Sequence, residues 1–313
     1  MTNTLQKFMF DDATVRGELI ELNSSWQEVL THHDYPLPVQ TLLGELTCAA
    51  ALLSANLKFD GSMIMQIHGD GAIKLLVVEC NSNLQIRAMA KLADNVVIAD
   101  DATLAELINA QGNGRFVITL DPNNKVPGQQ AYQGIVPLEG DTIAAIIESY
   151  MKQSEQLDTK LWLASNDELC RGMLLQRLPY HGGSGEREEE QSQQAENAEQ
   201  AWLRACILGS TLKYDELITT DIATLLHRLF WEESLRLFDP QPITVHCTCS
   251  REKVGNMLKM LGKQEVTEAV TSLGKLDINC DFCGKPYSFD AVDCAQLFIA
   301  PEVAITPNND HTH

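Results

Sequence analysis

Basic side chains are scarce in this chain: 23 Lys and Arg stand against 43 Asp and Glu, a formal net charge of -20. Neutralising phosphates takes clustered Lys and Arg, so the deficit argues against nucleic acid as a partner. The deficit persists locally, with six basic against nine acidic residues from Gln241 onward. Long apolar runs are also lacking. The first thirty residues show neither an uninterrupted apolar stretch nor a small-residue cleavage site, and no later run reaches the roughly 18 apolar residues of a membrane span. The expectation is a soluble, cytoplasmic protein with no membrane partner. Gly69-Asp70-Gly71 and Gly112-Asn113-Gly114 have neither a Walker lysine nor dinucleotide-loop spacing, so they read as turns and no nucleotide is expected. No arrangement of nucleophile, base and orienting acid is visible either. No catalytic residue is assigned, and the chain is not expected to be an enzyme.

What the chain does have is cysteine, nine in 313 residues. An odd number without a secretory signal reads as reduced thiols. Four of them form two tight pairs, Cys247-Thr248-Cys249 and Cys280-Asp281-Phe282-Cys283, separated by thirty residues. Two such pairs at the ends of a long loop can converge as four thiolates on one tetrahedral zinc ion. The two-residue spacing of Cys280 and Cys283 lets both sulfurs face one ion, and Gly284 can supply the positive φ of a tight metal-binding turn. Four thiolates close the coordination sphere, which disfavours a catalytic zinc, and His246 reads as a neighbour of the site. The same thiolates can oxidise, so permanent structural zinc and a redox switch both stay open. A thioredoxin-like oxidoreductase using Cys280 and Cys283 is disfavoured because the pair lies outside any βαβ pattern. Cys48, Cys80, Cys170, Cys206 and Cys294 read as small buried apolar residues.

The chain divides by composition into three parts, and the fold class expected is α+β. Residues 1–180 read as a mixed domain of antiparallel hairpins and packed helices. Thr14–Leu22, Met63–His68, Ile73–Val78, Leu84–Met89, Arg115–Leu120 and Tyr132–Leu138 are strand-like, and Val39–Leu57 has helical apolar spacing. Residues 181–239 read as an acidic helical linker. It opens with the flexible break His181-Gly182-Gly183-Ser184-Gly185 and carries twelve acidic against five basic residues. Its later part puts Leu225, Leu226, Leu229 and Phe230 on one helical face after a possible cap at Thr220, a face that needs a partner surface. Residues 240–313 form a small unit in which Ser250 caps one helix ended by Gly262, and a second ends before Gly274. So little core needs a staple, which four cysteines on zinc would supply. Asn309–His313 is expected to be a mobile tail.

Taken together, Cys247-Thr248-Cys249-Ser250-Arg251-Glu252-Lys253 and Cys280-Asp281-Phe282-Cys283-Gly284 resemble the redox-regulated zinc holdase chaperones, the 33 kDa chaperonin family of heat-shock proteins. Val15-Arg16-Gly17-Glu18-Leu19, His33-Asp34-Tyr35-Pro36, Leu57-Lys58-Phe59-Asp60-Gly61, Tyr132-Gln133-Gly134 and Gly172-Met173-Leu174-Leu175-Gln176 are similar to its N-terminal domain, so the likeness spans nearly the whole chain. Asp158 departs from the proline of many relatives. The resemblance implies an ATP-independent chaperone of the bacterial cytoplasm that binds unfolding client proteins and is inactive while reduced and loaded with one zinc per chain. It further implies that oxidation pairs Cys247 with Cys249 and Cys280 with Cys283, that zinc leaves, and that the switch domain and linker unfold to give an active homodimer. A constitutive zinc-stapled binding module is the alternative.

Overall fold

Apolar residues alternate to opposite sides along β1 (Asn3–Phe10) and β2 (Val15–Leu22), so this hairpin must be covered on both faces. In the computed structural model, which describes residues 3–299 apart from 12, 59, 126–129 and 180–187, both coverings are present. The chain forms two compact units that divide between His246 and Cys247. The glycine-rich break and the C-terminal tail expected from the sequence lie outside the described residues.

In the first unit, a short helix α1 (Ser24–Leu30) leads into α2 (Leu37–Ser54), which starts at Pro36 and runs into the core. A meander follows: β3 (Gly61–His68), β4 (Ile73–Asn81) and β5 (Gln85–Leu92). After α3 (Leu104–Ile108) come the hairpin β6 (Arg115–Pro122) and β7 (Tyr132–Pro137), then α4 (Ile143–Ser154) and the hairpin β8 (Thr159–Ser165) and β9 (Cys170–Arg177). Three helices, α5 (Glu188–Ser210), α6 (Tyr214–Thr219) and α7 (Ile222–Phe230), precede three short strands, β10 (Leu235–Leu237), β11 (Gln241–Pro242) and β12 (Thr244–Val245).

The strands make two six-stranded sheets. One has the order β10-β1-β2-β9-β8, with β11 also on β1; the other has the order β12-β5-β4-β3-β6-β7. Helix α2 packs on strands of both sheets, and its buried Leu43, Leu46, Ala50 and Leu53 join Ile20 and Leu174 of one sheet to Met65 and Val78 of the other in a single core. Its 18 residues, though interrupted by Gln40, Thr41, Glu45 and Thr47, are long and apolar enough to cross a membrane by composition, and 78% of that window is buried in the protein. Met63 and Met65 share the inner face of β3, as their spacing predicts.

The other face of the first sheet is covered by the acidic segment. Trp202 and Ala205 of α5, Leu217 of α6, and Leu225 and Phe230 of α7 pack on Phe8, Leu19 and Met173. The segment expected as a linker is therefore part of the first unit from residue 188 on. β10 and β11 extend its sheet, and the boundary lies at Cys247 rather than 240 because Thr244 and Val245 pair with β5. The cap of α7 is Asp221, whose carboxylate accepts from the Thr224 amide, while Thr220 closes α6. Gly17 cannot be replaced without loss here: a Cβ on it would lie 2.0 Å from Cζ of Phe8, whose ring fills that space. Both glycine-flanked turns meet at one carboxylate: Asp70 accepts from the backbone amides of Gln111 and Asn113, at 3.2 and 2.8 Å, and these bonds hold its pKa below the ordinary value.

The second unit is small. Ser250 Oγ accepts from the Lys253 amide and caps α8 (Arg251–Leu261), and Gly262 at φ +102° turns the chain into α9 (Lys263–Leu273), which ends at Gly274 at φ +79°. The hairpin β13 (Lys275–Asn279) and β14 (Pro286–Asp290) and a capped helix α10 (Ala291–Leu297) complete it. Its buried cluster is Leu258, Val266, Val270, Leu276, Tyr287, Phe289 and Cys294.

Glu18, on β2, is 1% exposed, and neither carboxylate oxygen has a hydrogen-bond partner among the described residues. Burial raises its pKa to about 7, with the Lys7 charge, the nearby Asn56 side chain and the Arg16 charge offsetting only part of the effect. A carboxyl whose folded pKa lies above its unfolded value binds protons preferentially in the native state, so its contribution is full near pH 4.5 and is lost as pH rises through about 7. Glu18→Gln is expected to raise the stability of the first unit at pH 8 by up to roughly 3 kcal/mol. The gain should shrink toward zero near pH 5, as followed by denaturant titration across pH; a pH-independent difference would contradict it.

Candidate metal centre

Local structure brings four of the second unit's five cysteines together, Cys247, Cys249, Cys280 and Cys283. Cys247 and Cys249 immediately precede the cap of α8, so the helix start fixes one pair. Cys280 and Cys283 form the tip of the β13–β14 hairpin. There the Gly284 amide donates to the Cys280 carbonyl at 2.8 Å, the Cys280 amide donates to the Lys285 carbonyl at 3.0 Å, and Gly284 takes φ +65°. The four Sγ atoms lie within 4.8 Å of one another, with Cys247 to Cys280 at 3.7 Å and Cys249 to Cys283 at 3.5 Å. Tetrahedral zinc with sulfur at about 2.3 Å requires sulfur separations of about 3.8 Å, so this set can hold such an ion. All four residues are half-buried. His246 is exposed and lies outside the cluster.

The surroundings orient the sulfurs. The Tyr287 hydroxyl donates to Cys249 Sγ at 3.0 Å, and Lys253 Nζ donates to Thr248 Oγ1 at 3.0 Å between the first two ligands. Arg251, the first residue of α8, stacks over Phe289 at 4.2 Å and pairs with Asp293, tying the cysteine-bearing end of that helix to β14 and α10. Burial pushes the Cys249 pKa up, but hydrogen bonds from Tyr287 and the neighbouring thiols outweigh it and bring it down to about 7. Burial together with hydrogen bonds to the other cysteines pushes Cys283 up to about 12. One sulfur ionises readily while another resists, and a bound cation would favour the thiolate at all four.

The spacing in the sequence singles out all four cysteines of the cluster. It does not reveal Tyr287 or Arg251, because their approach depends on the pairing of β13 with β14 and on helix packing. The remaining cysteines lie apart from the centre. Cys48, Cys80, Cys170 and Cys294 are buried and Cys206 is half-buried.

Fold and site together define a two-sheet α+β unit followed by a small unit whose clustered cysteines can hold a metal ion. The chain belongs to the Hsp33 family, whose model, described as Hsp33 protein, matches residues 3–290. It is 44% identical to a 33 kDa chaperonin of Methylobacillus flagellatus over 314 residues, covering 100% of this chain and 99% of that protein. It is 46% identical to a 33 kDa chaperonin of Chromobacterium violaceum, covering 98% and 97%. The crystal structure of the 33 kDa chaperonin (heat shock protein 33 homolog) of Thermotoga maritima superposes with a TM-score of 0.73 at 20% identity, covering 95% of this chain and 98% of that one, and so shares the fold.

Tyr287→Phe is expected to weaken zinc binding by about tenfold to a hundredfold in competition with a chromophoric chelator, since partners that orient a ligand carry effects of that size. Affinity in the unaltered chain should fall as pH is lowered from about 12, where protons first compete for Cys283, and more steeply below about 7, where they compete for the Cys249 sulfur as well. Equal affinity in the variant would remove Tyr287 from the site.

Proposed function

We propose that this chain is a redox-regulated, ATP-independent holdase that captures unfolding proteins under oxidative stress. Cys247, Cys249, Cys280 and Cys283 hold one zinc in the reduced, inactive state. The observation that carries the reading is the cluster itself: four half-exposed sulfurs within 4.8 Å, in a unit with a minimal core. Structural zinc contributes roughly 10 to 16 kcal/mol in small peptides, as much as stabilises many whole domains, so losing it would unfold such a unit.

Oxidation pairs Cys247 with Cys249 and Cys280 with Cys283, as the family likeness implies. Each pair of thiolates gives up two electrons to an oxidant such as peroxide or hypochlorous acid, which is reduced to water or to chloride and water, and the S–S bond that forms removes two ligands from the ion. In the cluster the nearest sulfurs belong to different motifs, so the pairing rests on the likeness and is read by thiol mapping after oxidation. Release then spreads to α5–α7. Helices of six and nine residues have little stability of their own and depend on the sheet they cover. Their departure would bare Phe8, Leu19 and Met173 for clients. The active form is a homodimer in the bacterial cytoplasm by the same likeness.

The test is aggregation of a heat-unfolding enzyme with reduced and with oxidised protein, with zinc release followed in parallel. Protection by the oxidised form and little by the reduced form is expected. Equal protection with zinc retained would instead define a constitutive zinc-stapled binding module.

A further inference from the structure

Two opposed charges lie on the sheet face that α5–α7 cover. Glu21 of β2 and Arg171 of β9 are directly opposite in the ladder, and both point to the side of Leu19 and Met173. They are 9% and 7% exposed, and their side chains form an ion pair. Arg171 does more than answer Glu21. Its Nη1 donates to the carbonyl oxygens of Leu217 at 3.1 Å and Ile218 at 2.9 Å, and also to that of Thr220. These are the terminal carbonyls of α6, which the helix cannot satisfy internally and which carry the negative end of its dipole. Nε of Arg171 alone has no acceptor among the described residues.

We propose that the Glu21–Arg171 pair is the clamp that holds α6, and through it the α6–α7 turn, on the sheet, and so sets how readily this cover is released. A guanidinium reaches a carboxylate with one nitrogen and carbonyls with another, a task that a Lys point charge does not reproduce. Glu21 holds the guanidinium in place and balances its charge in a buried site. Apolar packing of Leu217, Leu225 and Phe230 covers the sheet, the Tyr214 hydroxyl donates to the Ser165 carbonyl at the start of α6, and the clamp adds a directed interaction from the sheet at the turn between α6 and α7. Release of the clamp exposes Arg171 and three carbonyls to water together, so it opens as a unit. This inference rests on the release of α5–α7 proposed above.

The test uses the full-length, reduced, zinc-loaded chain. Arg171→Met alone strands a buried carboxylate and can disturb the sheet, so the main variant is the double replacement Glu21→Met with Arg171→Met. It keeps an apolar cross-strand pair and removes only the donor to α6. Hydrogen exchange is expected to quicken by at least about tenfold in 214–230, the factor that loss of a charge-assisted bond of roughly 1.5 kcal/mol or more gives. β2, β9 and the zinc stoichiometry should not change. Arg171→Lys should fall between. The reduced double variant should also protect an unfolding client partially, without oxidant. Unchanged exchange in 214–230 would overturn the clamp. Faster exchange without client protection, where oxidised wild type does protect, would overturn its role in gating. Should oxidised wild type fail to protect, the holdase reading falls and the exchange result still decides the clamp.

Discussion

Alternate side chains of β1, β2 and β9 are apolar on both faces, and a sheet of that kind has to be covered twice. One cover is α2, whose residues are almost all buried between the two sheets. The other is a set of helices drawn from an acidic, composition-poor segment that reads as a linker. The two covers differ in kind. α2 contributes to a core shared by both sheets, so its removal would dismantle the unit. α5–α7 contribute to a core of their own on one face, so their removal would leave the sheets paired and α2 in place.

That asymmetry explains which parts of the architecture are legible in the sequence. β3 alternates cleanly and β4 to β7 less regularly, but the turns between them carry glycine and asparagine, so the strands are visible. β9 is buried along nearly its whole length, which erases alternation, and its Gly172-Met173-Leu174-Leu175 run stands out only as a family motif. β1 escapes notice for a related reason, since it buries Leu5 on one side and Phe8 and Phe10 on the other. Asp221 rather than Thr220 caps α7 because Thr220 is still engaged in closing α6, a distinction of one residue that spacing cannot draw. The Glu21–Arg171 pair is invisible in one dimension because it depends on register between strands 150 residues apart.

The metal centre is the opposite case. Thiol spacing alone announces the four clustered cysteines, because each pair sits on a local device that the sequence also announces: a serine cap before α8 and a glycine turn after Cys283. What spacing leaves out is the layer that steadies the sulfurs, Tyr287 and Arg251, which arrives with the tertiary pairing. The unit's few buried side chains make a small core for its size, the setting in which a metal held by the cluster would add most.

The turn at Asp70 shows the chain answering its own electrostatics. Successive backbone amides around a glycine form a cup of partial positive charge, the kind of feature that elsewhere receives a phosphate. Here the cup at Gln111 and Asn113 already contains a carboxylate supplied by the turn opposite. The resemblance of these glycine stretches to anion loops is therefore chemically sound, and the anion is internal: a tethered guest that ties two loops together and leaves those amides no vacancy for a diffusing one.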